Sequence, residues 1–501
     1  MKTKGIMFLG TASSVGKSTL ATAVCRYFTN KNLKVCPFKA MNISLNSFVT
    51  KSGDEMGRAQ VVQAEACNIE PQSFMNPLLL KPNGGKTQVI VNGKVKFIMD
   101  AYKYKEINKE LKKEVLSTYN KIKNNYDLMV LEGSGSCAEI NLKDTDIANM
   151  EMARMADVPV ILVADIDRGG VFASVVGTLM LLDEEDRKRV KGVIINKFRG
   201  RVDFFKEAME QLEKIINIPV LGVMPYVKLN IEDEDGVTDR TSNSYGENYK
   251  IDIAVLKLPH MSNFTDFNNL ERIDYVNLRY IDNILDLKTP HMVIIPGSKN
   301  SIEDLKFIKE KGFFNKLKDL NKNGTILFGV CGGYQMLGEE IRDDIGVEGN
   351  SISEEGFKLL NFKTKFSSEK VTIQTNGKIN NNNPINKYFN DLNVNGYEIH
   401  NGFNEYNKDA IPFVYGDENR IVGSINENGT VIGTYLHGIF DSDNFNKNLI
   451  KFICDNHNIQ GVDLKNKESY KEYKSKEYDK IAKILEENID VKKIENIIKN
   501  N

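Results

Sequence analysis

Cys331 stands in GVCGGYQMLG, between an apolar run, TILFGV, and a helix-like pattern. With Gly329, Gly332 and Gly333 around it, the cysteine has the surroundings of a nucleophile elbow. Glycines permit a strained strand-to-helix turn and let backbone N–H groups face the reacting atoms. A cysteine nucleophile also needs a base or ion-pair partner. The chain has five histidines, and His437 precedes Gly438 in VIGTYLHGIF, where a strand is expected to end. Alone, His437 reads as a structural residue; beside Cys331 it becomes the imidazole of a thiol–imidazole pair.

A second constellation opens the chain. The strand-like GIMFLG leads into GTASSVGKSTL and then a helical pattern, which places Gly10, Thr11, Gly16, Lys17, Ser18 and Thr19 in a phosphate-binding loop. Such a loop presents N–H groups, a helix dipole and an ammonium to one phosphate chain. The spacing is G-x5-G-K-S, one residue longer than the common form. Lys17 is expected on the β- and γ-phosphates of a nucleotide, and the Ser18 hydroxyl on Mg2+. DLMVL delivers Glu132 to a glycine-rich strand end, and a hard cation held between phosphates prefers such a carboxylate. Glu55 is a further candidate for the metal.

Polar groups then gather at the expected strand ends. Asn42, Ser44, Asn46 and Ser47 follow the second strand in KAMNISLNSFVT, where they either line a nucleotide crevice or hold a turn. Arg58 and Gln60 lie on the helix DEMGRAQVVQAEACN, several of whose polar residues could face solvent, and Gln88 lies with Lys81 and Lys86 between two apolar runs. PVILVADIDRGG ends in Asp165, Asp167 and Arg168, and GVIINKFRG in Asn196 and Lys197. A parallel sheet binds ligand at the carboxyl ends of its strands, so these residues are expected to line the crevice, Asn196 and Lys197 on its nucleotide side.

These residues need an α/β scaffold. Alternating strand and helix patterns run to IPVLGVMPYV and stop; acidic IEDEDGVTDRTSNSYGENYK reads as a linker, and IDIAVLKL starts a fresh sheet. The expected division is 1–232, a linker 233–250, 251–446, and a charged helical tail 447–501. The 501 residues are 41% hydrophobic and 27% charged, the balance of a folded chain. A net charge of −1 with interspersed signs does not suggest nucleic acid, and no stretch approaches a membrane span, so a cytoplasmic protein is expected. The six cysteines show no C-x-x-C spacing, which disfavours a zinc or disulfide framework.

GTASSVGKS, NISLNS, GRAQVVQAEA, EGSGS with AEINL, DIDRGGVFAS, INKFRG, SNFTDF, PGSKNSIEDL, GVCGGYQMLG, GYEIHNG and YLHGIFD occur in order, and together they resemble the glutamine-hydrolysing cobyric acid synthase family over about residues 5–445. The resemblance implies a P-loop, dethiobiotin-synthetase-like parallel-sheet domain followed by a class I, triad-type glutamine amidotransferase domain. It implies amidation of carboxylates b, d, e and g of adenosylcobyrinic a,c-diamide, with ATP, Mg2+ and glutamine-derived ammonia. Cys331 would then form a γ-glutamyl thioester, His437 would carry the proton, and the Gly297 and Gly332 N–H groups would form the oxyanion hole. Asn42, Ser44, Asn46, Arg58, Gln60 and Gln88 are the expected substrate contacts. Free ammonia would be protonated in bulk water, so a protected passage between domains is expected. One feature departs from the wider class: many members carry His-x-Glu, whereas Ile439 stands two residues after His437 and Asp441 four after it. A backbone carbonyl could orient the ring instead. Two other readings stay open, the same chemistry on a cobalt-free or other polycarboxylate, and a nucleotide-switched ATPase with a degenerate amidase module. The residues imply no oligomeric state.

Overall fold

The first strand, β1 (Lys4–Gly10), is apolar and inaccessible from Gly5 onward, the pattern of a strand covered on both faces. It lies inside a six-stranded sheet with β2 (Val35–Phe38), β3 (Leu128–Glu132), β4 (Val160–Asp165), β5 (Val190–Phe198) and β6 (Val220–Pro225), in the order β6-β5-β4-β1-β3-β2. All neighbours are parallel. Helix α1 (Lys17–Asn30) leaves the loop after β1 and buries Leu20, Val24 and Phe28 in the same core as Ile6, Phe8, Val130 and Val163. The computed structural model describes residues 4–83, 86–100, 104–227, 249–348, 353–464 and 468–500. Of the expected linker 233–250, residues 233–248 lie outside that range.

The chain divides into two compact units. Unit 1 takes residues 1–44, 55–234 and 471–501; unit 2 takes 45–54 and 235–470. The expected tail is therefore split. The helix Asp443–Asn456 buries Phe445, Leu449, Ile450 and Ile453 in the core of unit 2. Beyond residue 470, Tyr478, Ile481, Ala482, Leu485, Ile494 and Ile498 are buried against α1 in unit 1. Arg26 on α1 donates two hydrogen bonds to Asp479, at 2.7 and 2.9 Å.

Unit 2 is built on an eleven-stranded sheet. Its parallel part runs β8 (Val276–Ile281), β7 (Ile251–Leu256), β9 (Met292–Ile295), β10 (Ile326–Val330) and β15 (Val431–Thr434). From β15 the sheet turns antiparallel through β14 (Ile421–Ile425) and β13 (Ile411–Tyr415) to β11 (Phe362–Ile379), which pairs with β12 (Asn393–Tyr406). The two segments FKLLNFKTKF and KVTIQTNGKI, expected as separate strands, meet in the single long β11 with a register shift between Phe366 and Val371. Among the described residues no helix is long and apolar enough to cross a membrane.

Candidate functional sites

In unit 1 the loop between β1 and α1 has the form its glycines require. Gly16 adopts φ 91°, and a Cβ there would lie 2.1 Å from Asn196 Nδ2, so a side chain is excluded by both conformation and space. Thr11 N donates to Val163 O of β4 at 3.0 Å. From β5, Asn196 Nδ2 donates to Val15 O at 2.8 Å, and Lys197 Nζ donates to Ser14 O at 2.6 Å while pairing with Asp165 at 3.1 Å. Asn196 and Lys197 thus brace the loop backbone from β5, with β4 lying between that strand and β1. Lys17 is buried, and its ammonium reaches across the loop to Ala12 O at 3.3 Å and Gly135 O at 2.8 Å. Thr19 lies one residue beyond Ser18 in the first turn of α1, half-buried.

Glu132 collects three donors. Its Oε1 accepts from Ser18 Oγ at 2.7 Å and from Lys39 Nζ at 2.9 Å, and its Oε2 accepts from Gln63 Nε2 at 2.5 Å. The Lys39–Glu132 pair is buried, with side chains 3% and 0% exposed. A hydroxyl and a carboxylate side by side are hard oxygen donors of the kind Mg2+ takes. Among the described residues no group of three His, Cys, Asp or Glu side chains is arranged for a metal, so an ion at Ser18 and Glu132 would complete its shell with phosphate oxygens and water. Glu55 is also buried, and its carboxylate is held by Lys81 at 2.8 Å rather than left open.

Lys39 escaped the sequence reading because a lysine after a short strand carries no local signature; its burial against Glu132 is a long-range fact. Replacing Lys39 with methionine is expected to destabilise unit 1 by about 3–5 kcal/mol, since a buried carboxylate loses its charge partner. The check is chemical denaturation of wild type and Lys39→Met, and Glu132→Gln in the same background should recover part of the loss.

The expected substrate residues are all buried. Asn42 lies on the short strand Met41–Ile43, and its Nδ2 is 3.5 Å from Gln60 Oε1. Arg58 and Gln60 begin α2 (Arg58–Ala66), a helix whose residues are buried except Glu65, so its polar face does not look to solvent. Gln88 lies opposite Lys81 in an antiparallel pair. Ser44 ends the first stretch of unit 1, whereas Asn46 falls in the segment 45–54 that belongs to unit 2. Gln60 Nε2 and Gln63 Oε1 are buried with no hydrogen-bond partner.

In unit 2, β10 delivers Cys331 to an elbow with φ 51° and ψ −105°, from which the short helix Gly332–Leu337 departs. Gly333 is obligatory there, because its Cβ would lie 2.0 Å from Ile295 O. A Cβ on Gly332 would lie 2.9 Å from Ser298 N, and one on Gly297 3.0 Å from His437 Cε1, so both expected oxyanion glycines border the pair. β15 ends at Thr434, and His437 stands three residues beyond it, fixed by main-chain hydrogen bonds in both directions with Tyr397 at 3.0 and 2.9 Å. The imidazole is 1% exposed and hydrogen-bonded to the Cys331 side chain.

The orienting group is a carboxylate after all, and not a backbone carbonyl. His437 Nδ1 bonds Asp266 Oδ2 at 2.7 Å, and Asp266 Oδ1 accepts from Gly438 N at 3.1 Å. Asp266 comes from the SNFTDF turn, 171 positions before the histidine. Burial opposes the imidazolium, but the charges of Asp266 and Cys331 and their hydrogen bonds raise the His437 pKa to about 10. The arrangement is a buried Cys-His-Asp triad with two glycines beside it, able to cleave an amide or ester through a thioester.

A phosphate-binding α/β unit joined to a unit with a thiol triad at a nucleophile elbow defines the class. Residues 6–237 match the CobQ/CobB/MinD/ParA nucleotide binding domain, and residues 252–445 the CobB/CobQ-like glutamine amidotransferase domain. The chain belongs to the cobyric acid synthase family. It is 57% identical to a cobyric acid synthase of Clostridium botulinum (strain Alaska E43 / Type E3) over 99% of this chain and 100% of that one. To a cobyric acid synthase of Clostridium perfringens (strain ATCC 13124) it is 56% identical over 100% of both. Among solved structures, PurLQS from Thermotoga maritima is 15% identical with a TM-score of 0.30, over 41% of this chain and 98% of that one, a likeness too slight to carry any inference.

Proposed function

We propose that this chain, an ATP-dependent and glutamine-using amidating ligase, converts carboxylates b, d, e and g of adenosylcobyrinic a,c-diamide to amides. The observation that carries the reading is the complete Cys331-His437-Asp266 triad in a chain that also holds a braced phosphate loop. A degenerate amidase module would have no need of the third member, so the triad counts against the regulatory ATPase.

At the triad, Cys331 Sγ attacks the γ-carboxamide carbon of glutamine, and the C–S bond forms. The N–H groups of Gly297 and Gly332 receive the negative charge on oxygen; one such donor supplies about 3 kcal/mol. His437 passes a proton to the nitrogen, the C–N bond breaks, and ammonia leaves a γ-glutamyl thioester. Water, deprotonated by His437, then releases glutamate and restores the thiol. Asp266 holds the proton-bearing Nδ1 through both steps.

In unit 1, Lys17 and the loop N–H groups bind the phosphates of ATP, and Thr11 and Thr19 lie at the loop's two ends. A carboxylate is a poor electrophile until its oxygen attacks the γ-phosphorus and ADP departs; ammonia then displaces phosphate from the acyl phosphate. Mg2+ would be held by Ser18 and Glu132, where it neutralises charge on the phosphates; Glu55 joins that set only by leaving Lys81. Asn42, Ser44, Arg58, Gln60 and Gln88 are assigned to the acceptor. Gln60 Nε2 offers a buried donor to a carboxylate oxygen, and Gln63 Oε1 a buried acceptor to the N–H groups of ammonia or the new amide.

Gln60→Met is therefore expected to raise KM for the acceptor by about 10- to 100-fold, the worth of one hydrogen bond to a charged group. Steady-state kinetics with varied acceptor checks this, and glutamate release without acceptor should be unchanged. The reading as a whole is tested by the product mass after incubation with ATP, glutamine and the corrinoid diamide. Parallel incubation with the cobalt-free diamide decides between the two polycarboxylates, and no gain of amides on either sinks the proposal.

A further inference from the structure

The PGSKNSIEDL block holds Gly297, Ser298 and Asp304 within eight residues. Its strand, Gly297–Ser298, is only two residues long and pairs antiparallel with Met261–Ser262 in unit 2. A pair so short is held weakly by its main chain alone. A polar cluster holds it instead. Ser298 Oγ donates to Asp304 Oδ2 at 2.6 Å and accepts from Asn300 N at 3.0 Å. Asp304 Oδ1 bonds His260 twice, accepting from its main-chain N at 3.2 Å and meeting its ring Nδ1 at 2.8 Å. Lys299 N donates to His260 O at 2.9 Å and ties the two stretches together again.

Asp304 and Ser298 are buried and His260 is half-buried. The residue types are those of a serine hydrolase, joined in another order: the carboxylate stands in the middle and the hydroxyl points to it, so Ser298 has no base to make it a nucleophile. The hydrogen bond to Asp304 raises the His260 pKa above its ordinary 6.5 against the opposing effect of burial, and the charges of Asp304, Glu303 and Glu348 act in the same direction. The cluster adjoins the elbow. A Cβ on Gly332 would lie 2.9 Å from Ser298 N and 3.0 Å from Ser298 Cβ, so Ser298 has its backbone against the elbow and its side chain on Asp304. Asp304 lies on the helix Ser301–Glu310, whose first residue reaches the elbow helix too, Ser301 Oγ donating to Gln335 Oε1 at 3.1 Å.

We infer that Asp304 and His260 are positioning residues for glutamine cleavage, which hold the Gly297–Ser298 main chain in place as an oxyanion donor through the Ser298 hydroxyl. The inference rests on the role assigned above to Gly297. An N–H group stabilises an oxyanion only when it is aimed, before the reaction begins, at the place where the charge develops. Glycine is the residue whose backbone turns most freely, so a donor carried by Gly297 needs an anchor from outside. Ser298 is that anchor, because its Cβ is bonded to the Cα next to the Gly297 peptide and its Oγ is fixed on a buried carboxylate. Without the anchor the strand can turn away from the sulfur. The bound carbonyl gains less from these donors than the oxyanion does, so the loss falls on kcat and not on binding.

The test measures glutamate release by the full chain as glutamine is varied. Ser298→Ala removes one oxygen atom; its kcat should fall about 100-fold, the effect of a misplacement of about 1 Å, with KM for glutamine little changed. His260→Phe keeps a ring in the half-buried place and should lower kcat in the same sense. Alkylation of Cys331 by iodoacetamide, read from the mass of its peptide, separates the strand from the triad, since sulfur displaces iodide without forming an oxyanion. Its rate should match wild type in both variants. A kcat equal to wild type in either variant, a rise in KM alone, or alkylation slowed together with kcat would overturn the inference. Undiminished glutamate release by Cys331→Ala would instead overturn the reading of the thiol site, and this inference with it.

Discussion

Cys331→Ala is expected to abolish glutamine-dependent amidation, by about 10⁶-fold if the thiol matters here as the nucleophile does in a serine hydrolase. Amidation from added ammonium should continue, because the nitrogen acceptor chemistry is assigned to unit 1 and the cysteine lies in the core of unit 2. Alanine is close in size to the buried side chain it replaces and fits the elbow, though it must still adopt φ 51°. The measurement is product formation with each nitrogen source in turn. Loss of both activities would mean that Cys331 holds the structure together and is not the nucleophile.

Asp266→Asn should lower glutaminase kcat by about 10³- to 10⁴-fold, the loss seen when a triad imidazole is given the wrong tautomer by the same exchange. The substitution also predicts a pH effect with a definite sign. Burial alone pushes His437 towards its neutral form, and the Asp266 carboxylate is the strongest force that holds it charged up to about 10, against an ordinary 6.5. A raised pKa stabilises the folded state in full below about 6.5, and that contribution is lost as pH rises through about 10. The stability gap between wild type and Asp266→Asn should therefore be widest at acidic and neutral pH and close towards pH 10. Thermal melts across that window check the sign, and a gap that widened with pH would contradict the ion pair.

Much of this was legible in the chain because it is local. Glycines around Cys331, the G-K-S sequence after a strand, and Glu132 at the end of DLMVL are each readable within a dozen residues. The loop and elbow formed as expected because only glycine fits at Gly16 and Gly333. Asp266 was not legible as the triad's third member, since the class pattern seeks a carboxylate two residues after the histidine and this one arrives from another turn of the sheet. Lys39 was hidden for the same reason. The C-terminal helix carried its signal locally, as a mixed-charge amphipathic stretch: Tyr478, Ile481, Ala482 and Leu485 fall at i, i+3, i+4 and i+7, the apolar stripe of a helix that packs, and they are buried in unit 1. Only the fold could show that the stripe belongs to the first unit, or that 45–54 belongs to the second.

The central claim is that nitrogen freed at Cys331 is the nitrogen that arrives on the corrinoid. Amide-labelled nitrogen-15 glutamine, supplied with ATP and acceptor in the presence of unlabelled ammonium, tests it most directly through the mass of the product. The account predicts nitrogen-15 at the new amides, with glutamine and ATP consumed in equal numbers to the amides formed. Amides that carried the unlabelled nitrogen of the medium, while glutamine was hydrolysed alongside, would contradict it.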